Sequence, residues 1–166
     1  MATHFDAIVV GSGIGGLSFA LNLARRGRSV AIVTKKTSSE SNTTWAQGGI
    51  VGVISSDDSV ESHVSDTQIA GAGLVDETTA EFISKHSIQA IKWLVDQGVP
   101  FSSDPQGPLG LHLTREGGHT VRRIAHAADA TGKAIHETLI ARAQSHPNIT
   151  LLEHTMAVDL ITHKHI

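Results

Sequence analysis

The chain opens with its clearest change of hydrophobic pattern. A continuous apolar run over 7–10 leads into a glycine-rich turn over 11–16, and apolar residues then recur at helical spacing from Leu17 onwards. Unbroken apolar runs of this length are typical of strands in parallel sheets, which are buried on both faces. The pattern predicts a strand over 7–10, a helix over 14–25 and a second strand over 29–33.

The rest of the chain alternates helical and extended patterns. Asp57, Asp58 or Ser59 caps a helix that reaches 69 or 70, and Asp76 caps a long helical region that ends at Gly98. We expect Ser87 to kink or divide that long region. The other predicted elements are a short apolar run over 50–54, a loop over 101–110, extended segments over 111–113 and 121–124, a helix over 131–143, a strand over 149–152 and a strand-like stretch over 156–161.

These elements predict an α/β fold, namely a Rossmann-like domain with a parallel sheet and helices on both faces. Three segments, 7–10, 29–33 and 149–152, are the candidates for its strands. Such a sheet normally has more than three strands, and the stretch over 156–161 lacks a pairing partner. We therefore expect residues 1–166 to be part of a longer protein, with the domain incomplete at its C-terminus.

Composition narrows the functional classes. The chain has 166 residues, enough for one domain, and its net charge of −3 with dispersed Lys and Arg excludes a nucleic-acid footprint. It contains no cysteine, which excludes disulfides and thiol catalysis and suits a reducing cytoplasm. Neither a membrane-spanning run nor a signal peptide is visible, so the sequence predicts a cytoplasmic protein.

Eleven histidines are more than a chain of this composition leads one to expect. No pair has the H-E-x-x-H spacing or a similar arrangement, and no cysteine supports a metal site. We expect most of them to be surface or capping residues, and we predict no metal centre.

The first candidate site is the glycine turn, where Gly11, Gly13 and Gly16 follow the G-x-G-x-x-G spacing. Gly11 permits a sharp turn, Gly13 lets the backbone approach a pyrophosphate, and Gly16 lets the helix pack closely on the strand. Bare N–H groups of the first helical turn then bind the phosphate charge. A dinucleotide site is predicted here, with a glycine turn used only for packing as the alternative; its residues also include Ser12, Ile14 and Gly15.

The end of the second strand argues against an ordinary NAD site. A carboxylate normally stands about 20 residues beyond the glycines and bonds a ribose hydroxyl. Here Thr34 and Lys35 follow the strand, and no acidic residue precedes Glu40. Thr34 offers a neutral hydroxyl instead, and Lys35 can approach the adenosine end or a phosphate. The alternative is that Lys35 and Lys36 are simply a solvated strand end.

Residues 42–49 suit a flavin. Their backbone N–H groups and small side chains can approach a flat heteroaromatic ring, and an amide such as Gln47 can bond at the ring edge. The alternative is a Gly-Gly turn that leads into a strand. The predicted cofactor-binding residues of this stretch are Asn42, Thr43, Thr44, Trp45, Ala46, Gln47, Gly48 and Gly49.

Residues 113–132 alternate charged with small residues and hold too little apolar content for a core element. A loop that contains Arg115, Glu116 and His119 suits a dicarboxylate substrate. The alternative is a solvated loop with local salt bridges.

Together the three stretches closely resemble the L-aspartate oxidases, which belong to the flavoprotein family of succinate dehydrogenase and fumarate reductase. The likeness extends over 6–161 and includes 66–73 and 93–99. It implies FAD and a soluble enzyme that oxidises L-aspartate to iminoaspartate, the first step of NAD synthesis, with oxygen or fumarate as electron acceptor. Hand-off of iminoaspartate to quinolinate synthase is a further implied partnership. The family commonly has a hydroxyl residue and then lysine after the second strand, as in Thr34 and Lys35.

Single residues separate the relatives within that family. Succinate dehydrogenase and fumarate reductase flavoproteins tether FAD through a histidine where this chain has Asn42, so the resemblance implies non-covalent FAD. Their arginine- and phenylalanine-containing substrate loop is absent. In aspartate oxidases the glutamate matching Glu116 faces the substrate's amino group, and His119 belongs to the same motif. Trp45 replaces the family's usual phenylalanine or tyrosine.

The resemblance also places important parts of the enzyme beyond residue 166: the acid/base arginine, the capping domain and the segment that closes the FAD site. We therefore expect this chain alone to bind FAD poorly and to leave aspartate unoxidised. Two alternatives remain open, a flavoprotein of the fumarate reductase or succinate dehydrogenase type and a non-catalytic dinucleotide-binding module.

Overall fold

A computed structural model describes residues 4–162, and the chain divides into two units. The first unit comprises Met1–Trp45 and Ile135–Ile166, and the second comprises Ala46–Ala134. The elements in chain order are β1 (Ala7–Val10), α1 (Ile14–Ala24), β2 (Val30–Val33), α2 (Asn42–Trp45), β3 (Ile50–Val51), α3 (Val60–Gly71), α4 (Glu77–Gln97), a 3₁₀ turn (Pro108–Gly110), β4 (Leu113–Thr114), β5 (Ile124–Ala125), α5 (Thr131–Ser145) and β6 (Ile149–Leu152).

The first unit is built on a parallel sheet in the order β1-β2-β6. Val9 lies level with Ile32, and Ile32 lies level with Leu151. All four residues of the central strand β2 are buried, as the continuous apolar pattern predicts. The α/β class, the three parallel strands and the helix after the glycine turn are therefore confirmed.

Helix α1 covers one face of the sheet. It contacts all three strands and packs beside Val9, whereas Ile8 and Val10 on the other face of β1 are 65% and 68% exposed.

Two sequence expectations about secondary structure are wrong. Helix α4 runs unbroken through Ser87, because the Ser87 hydroxyl donates to Ser84 O at 2.7 Å within the helix and accepts from Val53 N at 3.0 Å. The stretch over 156–161 is not a strand. Thr155 N still bonds to Thr34 O, but no neighbouring strand among residues 4–162 pairs with the segment that follows, and Val158 is 89% exposed.

Two glycines shape the link between β1 and α1. Gly11 has φ +105°, a conformation that side chains rarely adopt, and it makes the sharp turn. A Cβ atom on Gly16 would collide with the carbonyl oxygen of Gly11 and would lie 3.2 Å from Val9 Cγ1. The sequence-based role of Gly16, close packing of helix on strand, is confirmed.

The second unit combines a small antiparallel sheet, in the order β3-β5-β4, with the packed pair α3 and α4. The Ser59 hydroxyl caps α3 and the Asp76 carboxylate caps α4, as predicted. Its buried cluster consists of Ile91, Leu111, Leu113 and Ala125, with Ile50, Ile54 and Phe101 packed against it.

A fully buried arginine ties α3 to the strand β5. The Arg123 guanidinium donates to both carboxylate oxygens of Asp58, at 2.9 and 2.8 Å, and to Asp66 Oδ2 at 2.7 Å. Asp66 also accepts from the backbone N–H and the hydroxyl of Thr120, at 2.8 and 2.9 Å. The network fixes the chain at 120–123, immediately after the turn that contains Glu116 and His119.

The Asp66 carboxyl is held ionised by these contacts. Burial by itself would raise its pKa, but the hydrogen bonds from Thr120 and Arg123 outweigh burial and leave the pKa below the ordinary value of 3.8. A carboxyl whose pKa is lower in the folded state than in the unfolded state stabilises the fold above the unfolded value.

Replacement of Gly16 by alanine tests the close approach of α1. We expect Gly16→Ala to destabilise the protein by about 1–3 kcal/mol or more, since the new methyl group must displace backbone. Gly15→Ala is the matched control, because no atom lies within 4 Å of a Cβ there and alanine favours a helix by about 0.5–1 kcal/mol. Urea unfolding measures both, and equal effects of the two substitutions would contradict the packing account.

Asp66→Asn tests the buried ion network. At neutral pH we expect a loss of about 1.5–3 kcal/mol, because a charge-assisted hydrogen bond to Arg123 disappears while Asp58 still pairs with it. In the wild type, the stabilisation by the Asp66 charge is complete above the unfolded-state pKa of about 4 and is lost as the pH falls towards the lower pKa of the folded state. The difference in the free energy of unfolding between wild type and Asp66→Asn should therefore become smaller below about pH 4.

Unfolding in urea from pH 7 to pH 3 checks this dependence. Asp96→Asn, which changes an exposed carboxylate on α4, is the control and should leave the stability curve unchanged. A gap between wild type and Asp66→Asn that stays constant over the whole range would contradict the proposed role of the Asp66 charge.

Candidate functional site

A crevice of about 520 Å³ opens in the first unit at the carboxyl ends of β1 and β2. Ligands of open α/β sheets bind at this edge. Of the predicted cofactor residues, it is lined by Gly11, Ser12, Gly13, Thr34, Lys35, Asn42 and Thr43. The structure thus brings the glycine turn, the end of the second strand and the start of α2 to one place.

The N-terminus of α1 differs from the sequence expectation in one respect. The Ile14 N–H is not bare, because it donates to Thr43 Oγ1 at 3.1 Å. A Cβ on Gly13 would lie 3.6 Å from the same hydroxyl, so a side chain there would take up space between the two walls of the crevice. Gly15 and Gly16 continue the first turn of the helix. The absence of a side chain at Gly13 fits the close approach of a phosphate.

Hydroxyl groups join the glycine turn to the end of β2. Ser12 is buried, and its hydroxyl lies 3.4 Å from Thr34 Oγ1 and 3.3 Å from Ser38 O. Thr34, which stands where a carboxylate is usual, is buried as well. This part of the crevice wall therefore offers neutral oxygen atoms.

Lys35 and Lys36 are both exposed and both line the crevice. Lys36 forms an exposed ion pair with Glu40 at 2.6 Å, and that hydrogen bond raises the pKa of Lys36. Lys35 is exposed and lines the crevice, as does Glu40. Of the two lysines, the structure leaves Lys35 as the cation suited to a phosphate.

His136 is a site residue that sequence reasoning missed. It does not follow the expectation made for most histidines, because it is buried, with only 1% exposure. Nε2 donates to Ser12 O at 2.9 Å, and Nδ1 lies 3.3 Å from Thr44 Oγ1. The sequence could have indicated its burial through periodicity, since His136 falls at helical spacing with the buried residues Leu139 and Ala143.

The segment after β6 also lines the crevice, through Thr155, Met156 and Ala157. Sequence reasoning assigned 156–161 to a strand and so gave these residues no role. Their position in the sequence could have indicated a role, because they directly follow a parallel strand, at the carboxyl edge where ligands bind. The crevice is thus lined from three strand ends.

In the second unit, the predicted flavin residues 46–49 form the irregular segment before β3. Ala46 O accepts from Gly132 N at 3.0 Å, and a Cβ on Gly49 would collide with Ile124 Cγ2 and Ala125 O. Gly49 is therefore needed for packing, whatever else it does. Gln47 and Gly48 lie between Ala46 and Gly49. Trp45, which ends the first unit's N-terminal segment, is 79% exposed.

The Glu116–His119 turn directs its two site residues to different neighbours. The exposed Glu116 carboxylate lies 3.7–3.8 Å from the point where a Cβ on Gly48 would stand. His119 faces His63, with ring centroids 5.9 Å apart, and lines a groove of about 380 Å³ beside α3. His119 Nδ1 is buried and has no hydrogen-bond partner in the described part of the chain. Burial and the charges of Arg123 and His119 lower the pKa of His63.

Within residues 4–162, no group of three or more His, Asp or Glu side chains is placed to hold a metal ion. None of the helices in that range combines the length and the apolar character that crossing a membrane requires.

Comparison with known proteins agrees with this geometry. L-aspartate oxidase 1 of Ralstonia nicotianae is 54% identical to the chain over 159 residues, which are 96% of the chain and 30% of that protein. L-aspartate oxidase of Pseudomonas aeruginosa is 51% identical over 99% of the chain and 32% of its own length. The chain thus spans about a third of the length of these curated relatives.

Solved structures give the same picture. A quinol fumarate reductase of E. coli matches 93% of the chain and 26% of its own chain, with a TM-score of 0.82 and 29% identity. The Sdh1 complex of Mycobacterium smegmatis matches 90% of the chain and 27% of its own chain, with a TM-score of 0.79 and 29% identity. The sequence profile of the FAD-binding domain matches residues 6–165, so the chain belongs to the FAD-binding domain family, whose cofactor is FAD.

Proposed function

We propose that residues 1–166 form the N-terminal part of the FAD-binding domain of an L-aspartate oxidase. The observation that favours this activity is the exposed Glu116 carboxylate beside Gly48, a residue of the predicted flavin stretch. The 51–54% identity to L-aspartate oxidases over nearly the whole chain supports it. The complete enzyme converts L-aspartate to iminoaspartate, the first step of NAD synthesis.

FAD is held without a covalent bond in this proposal. The glycine turn, Thr34, Lys35 and Thr43 bind the pyrophosphate and the adenosine part, because hydroxyl groups and the glycine backbone line that crevice together with Lys35, which is not paired with Glu40 as Lys36 is. Residues 44–49, including Gln47, serve the flavin. Asn42 cannot form the tether that a histidine makes. When bound, FAD accepts the two electrons that leave Cα of the substrate.

Glu116 selects the substrate by charge. Its carboxylate stands next to a residue without a side chain, so a substrate group can approach it from the side of Gly48. An anion at that place attracts the ammonium group of aspartate and repels a dicarboxylate such as succinate, which lacks one. His119 is the second proposed substrate-binding residue; its Nδ1 is buried and has no hydrogen-bond partner among the described residues.

The reaction's remaining partners belong to the same proposal. Oxygen or fumarate reoxidises the cofactor, and iminoaspartate passes on to quinolinate synthase. The enzyme works in the cytoplasm, which the absence of cysteine suits.

A fumarate reductase or succinate dehydrogenase flavoprotein is the second candidate, and the TM-score of 0.82 to a quinol fumarate reductase favours it. Asn42 and Glu116 argue against it, because the first removes the tether and the second repels an unaminated dicarboxylate. A non-catalytic dinucleotide-binding module is the third candidate, and it would show no turnover at all.

The full-length protein provides the direct test. We expect it to produce hydrogen peroxide in air when L-aspartate is added, and to release its FAD into the supernatant on acid precipitation because no covalent bond retains it. Succinate should give no turnover. Oxidation of succinate with FAD retained in the precipitate would instead support the second candidate, and FAD binding without any turnover would support the third.

Glu116→Gln tests the substrate contact. We expect the variant to weaken aspartate binding about 10-fold to 100-fold, since a charge-assisted contact to the ammonium group becomes neutral. Inhibition by succinate should be unchanged or stronger, because the repelling charge is gone. Steady-state kcat/KM for aspartate and the inhibition constant for succinate measure the two effects.

Glu77→Gln, which changes an exposed glutamate in the first turn of α4, is the control and should leave both constants unchanged. Equal weakening of aspartate and succinate by Glu116→Gln would refute the selective role of Glu116.

A further inference from the structure

We propose that His136 is a positioning residue for FAD, which holds the Ser12–Gly13 peptide so that its N–H group faces the crevice. The inference rests on the proposed FAD site and concerns a residue outside the predicted set. His136 belongs to α5, and its ring is 1% exposed although both ring nitrogens have polar neighbours.

The first step of the argument concerns one peptide group. Ser12 O accepts from His136 Nε2 at 2.9 Å, so this carbonyl points at a buried ring. In a trans peptide the C=O of one residue and the N–H of the next point in opposite directions. The Gly13 N–H therefore points away from the ring, and both Ser12 and Gly13 line the crevice.

The second step concerns α2, whose residues Asn42 and Thr43 also line the crevice. His136 Nδ1 lies 3.3 Å from Thr44 Oγ1, and that hydroxyl is also 2.9 Å from Ser39 O. Thr43, the neighbour of Thr44 in α2, accepts from the Ile14 N–H at the start of α1. One imidazole thus bonds the glycine turn and contacts α2 at the same time.

These contacts matter for anion binding because preoriented N–H groups are what a helix N-terminus offers to a phosphate. An apolar side chain of similar size would fill the space but leave Ser12 O without its donor. The peptide could then rotate, and the Gly13 N–H would lose its direction. The loss of this hydrogen bond should weaken FAD binding and leave substrate binding unchanged.

The experiment compares two variants of the full-length protein that match in side-chain length. Gln in place of His136 retains an N–H donor, and Met does not. We expect His136→Met to raise the Kd for FAD about tenfold, and His136→Gln to stay within about threefold of wild type. Quenching of FAD fluorescence on titration of the FAD-free protein measures both, well below the Tm of each variant.

Leu139→Ala is the control for a merely structural role. Leu139 is fully buried on the same helix, and its truncation should lower the Tm without changing the Kd for FAD. The KM for aspartate at saturating FAD should be unchanged in His136→Met and His136→Gln. Equal Kd values for these two variants, or a Kd that rises as much in Leu139→Ala as in His136→Met, would overturn the inference.

A measurement on the wild type needs no variant to fold. Nitrogen-15 NMR of the His136 ring should show a protonated Nε2 at neutral pH, since Nε2 donates to Ser12 O. A ring protonated on Nδ1 alone would overturn the inference. Failure of the wild type to bind FAD would overturn the proposed cofactor site itself, a result distinct from unaltered binding by His136→Met.

Discussion

The close approach of α1 to β1 is the constraint on which the first unit depends. Helix and strand meet so tightly that a single methyl group on Gly16 would collide with the Gly11 carbonyl. Because Gly11 turns the chain in a left-handed conformation, the helix starts directly at the carboxyl edge of the sheet. The crevice follows from that placement, since the end of β2 and the segment after β6 reach the same edge. Packing and the candidate cofactor site are thus two consequences of one backbone contact.

Each unit also contains a buried polar side chain that joins segments distant in sequence. In the first unit, His136 bridges the glycine turn and α2. In the second, Arg123 joins two carboxylates of the chain around α3 to the segment that follows Glu116 and His119. Buried polar groups are costly when unpaired, so each network specifies one arrangement of the surrounding loops. These groups stabilise the loops that bear the predicted site residues, and His136 also lies beside one of those residues, Thr44.

The candidate site shows where sequence reasoning works and where it does not. Spacing placed Gly11, Gly13, Thr34 and Lys35 around one crevice, because the carboxyl ends of parallel strands share an edge. The hydrophobic pattern gave a wrong prediction at 156–161, where apolar composition predicted a strand. A strand needs a neighbour with free backbone groups, which no local pattern reveals. It also failed at His136, since residue type suggested a surface histidine and only packing shows burial.

The sequence by itself determined the α/β class, the main strands and helices with their caps, the glycine turn and the family resemblance. These depend on local periodicity, capping and backbone freedom, which are properties of neighbouring residues. Only the tertiary structure decided that the Thr43 hydroxyl accepts from the Ile14 N–H, that Gly48 lies beside Glu116, and that His136 donates to the carbonyl of the Ser12–Gly13 peptide. Those contacts join residues up to 124 positions apart, and the long-range packing that creates them leaves no mark in any short stretch of sequence.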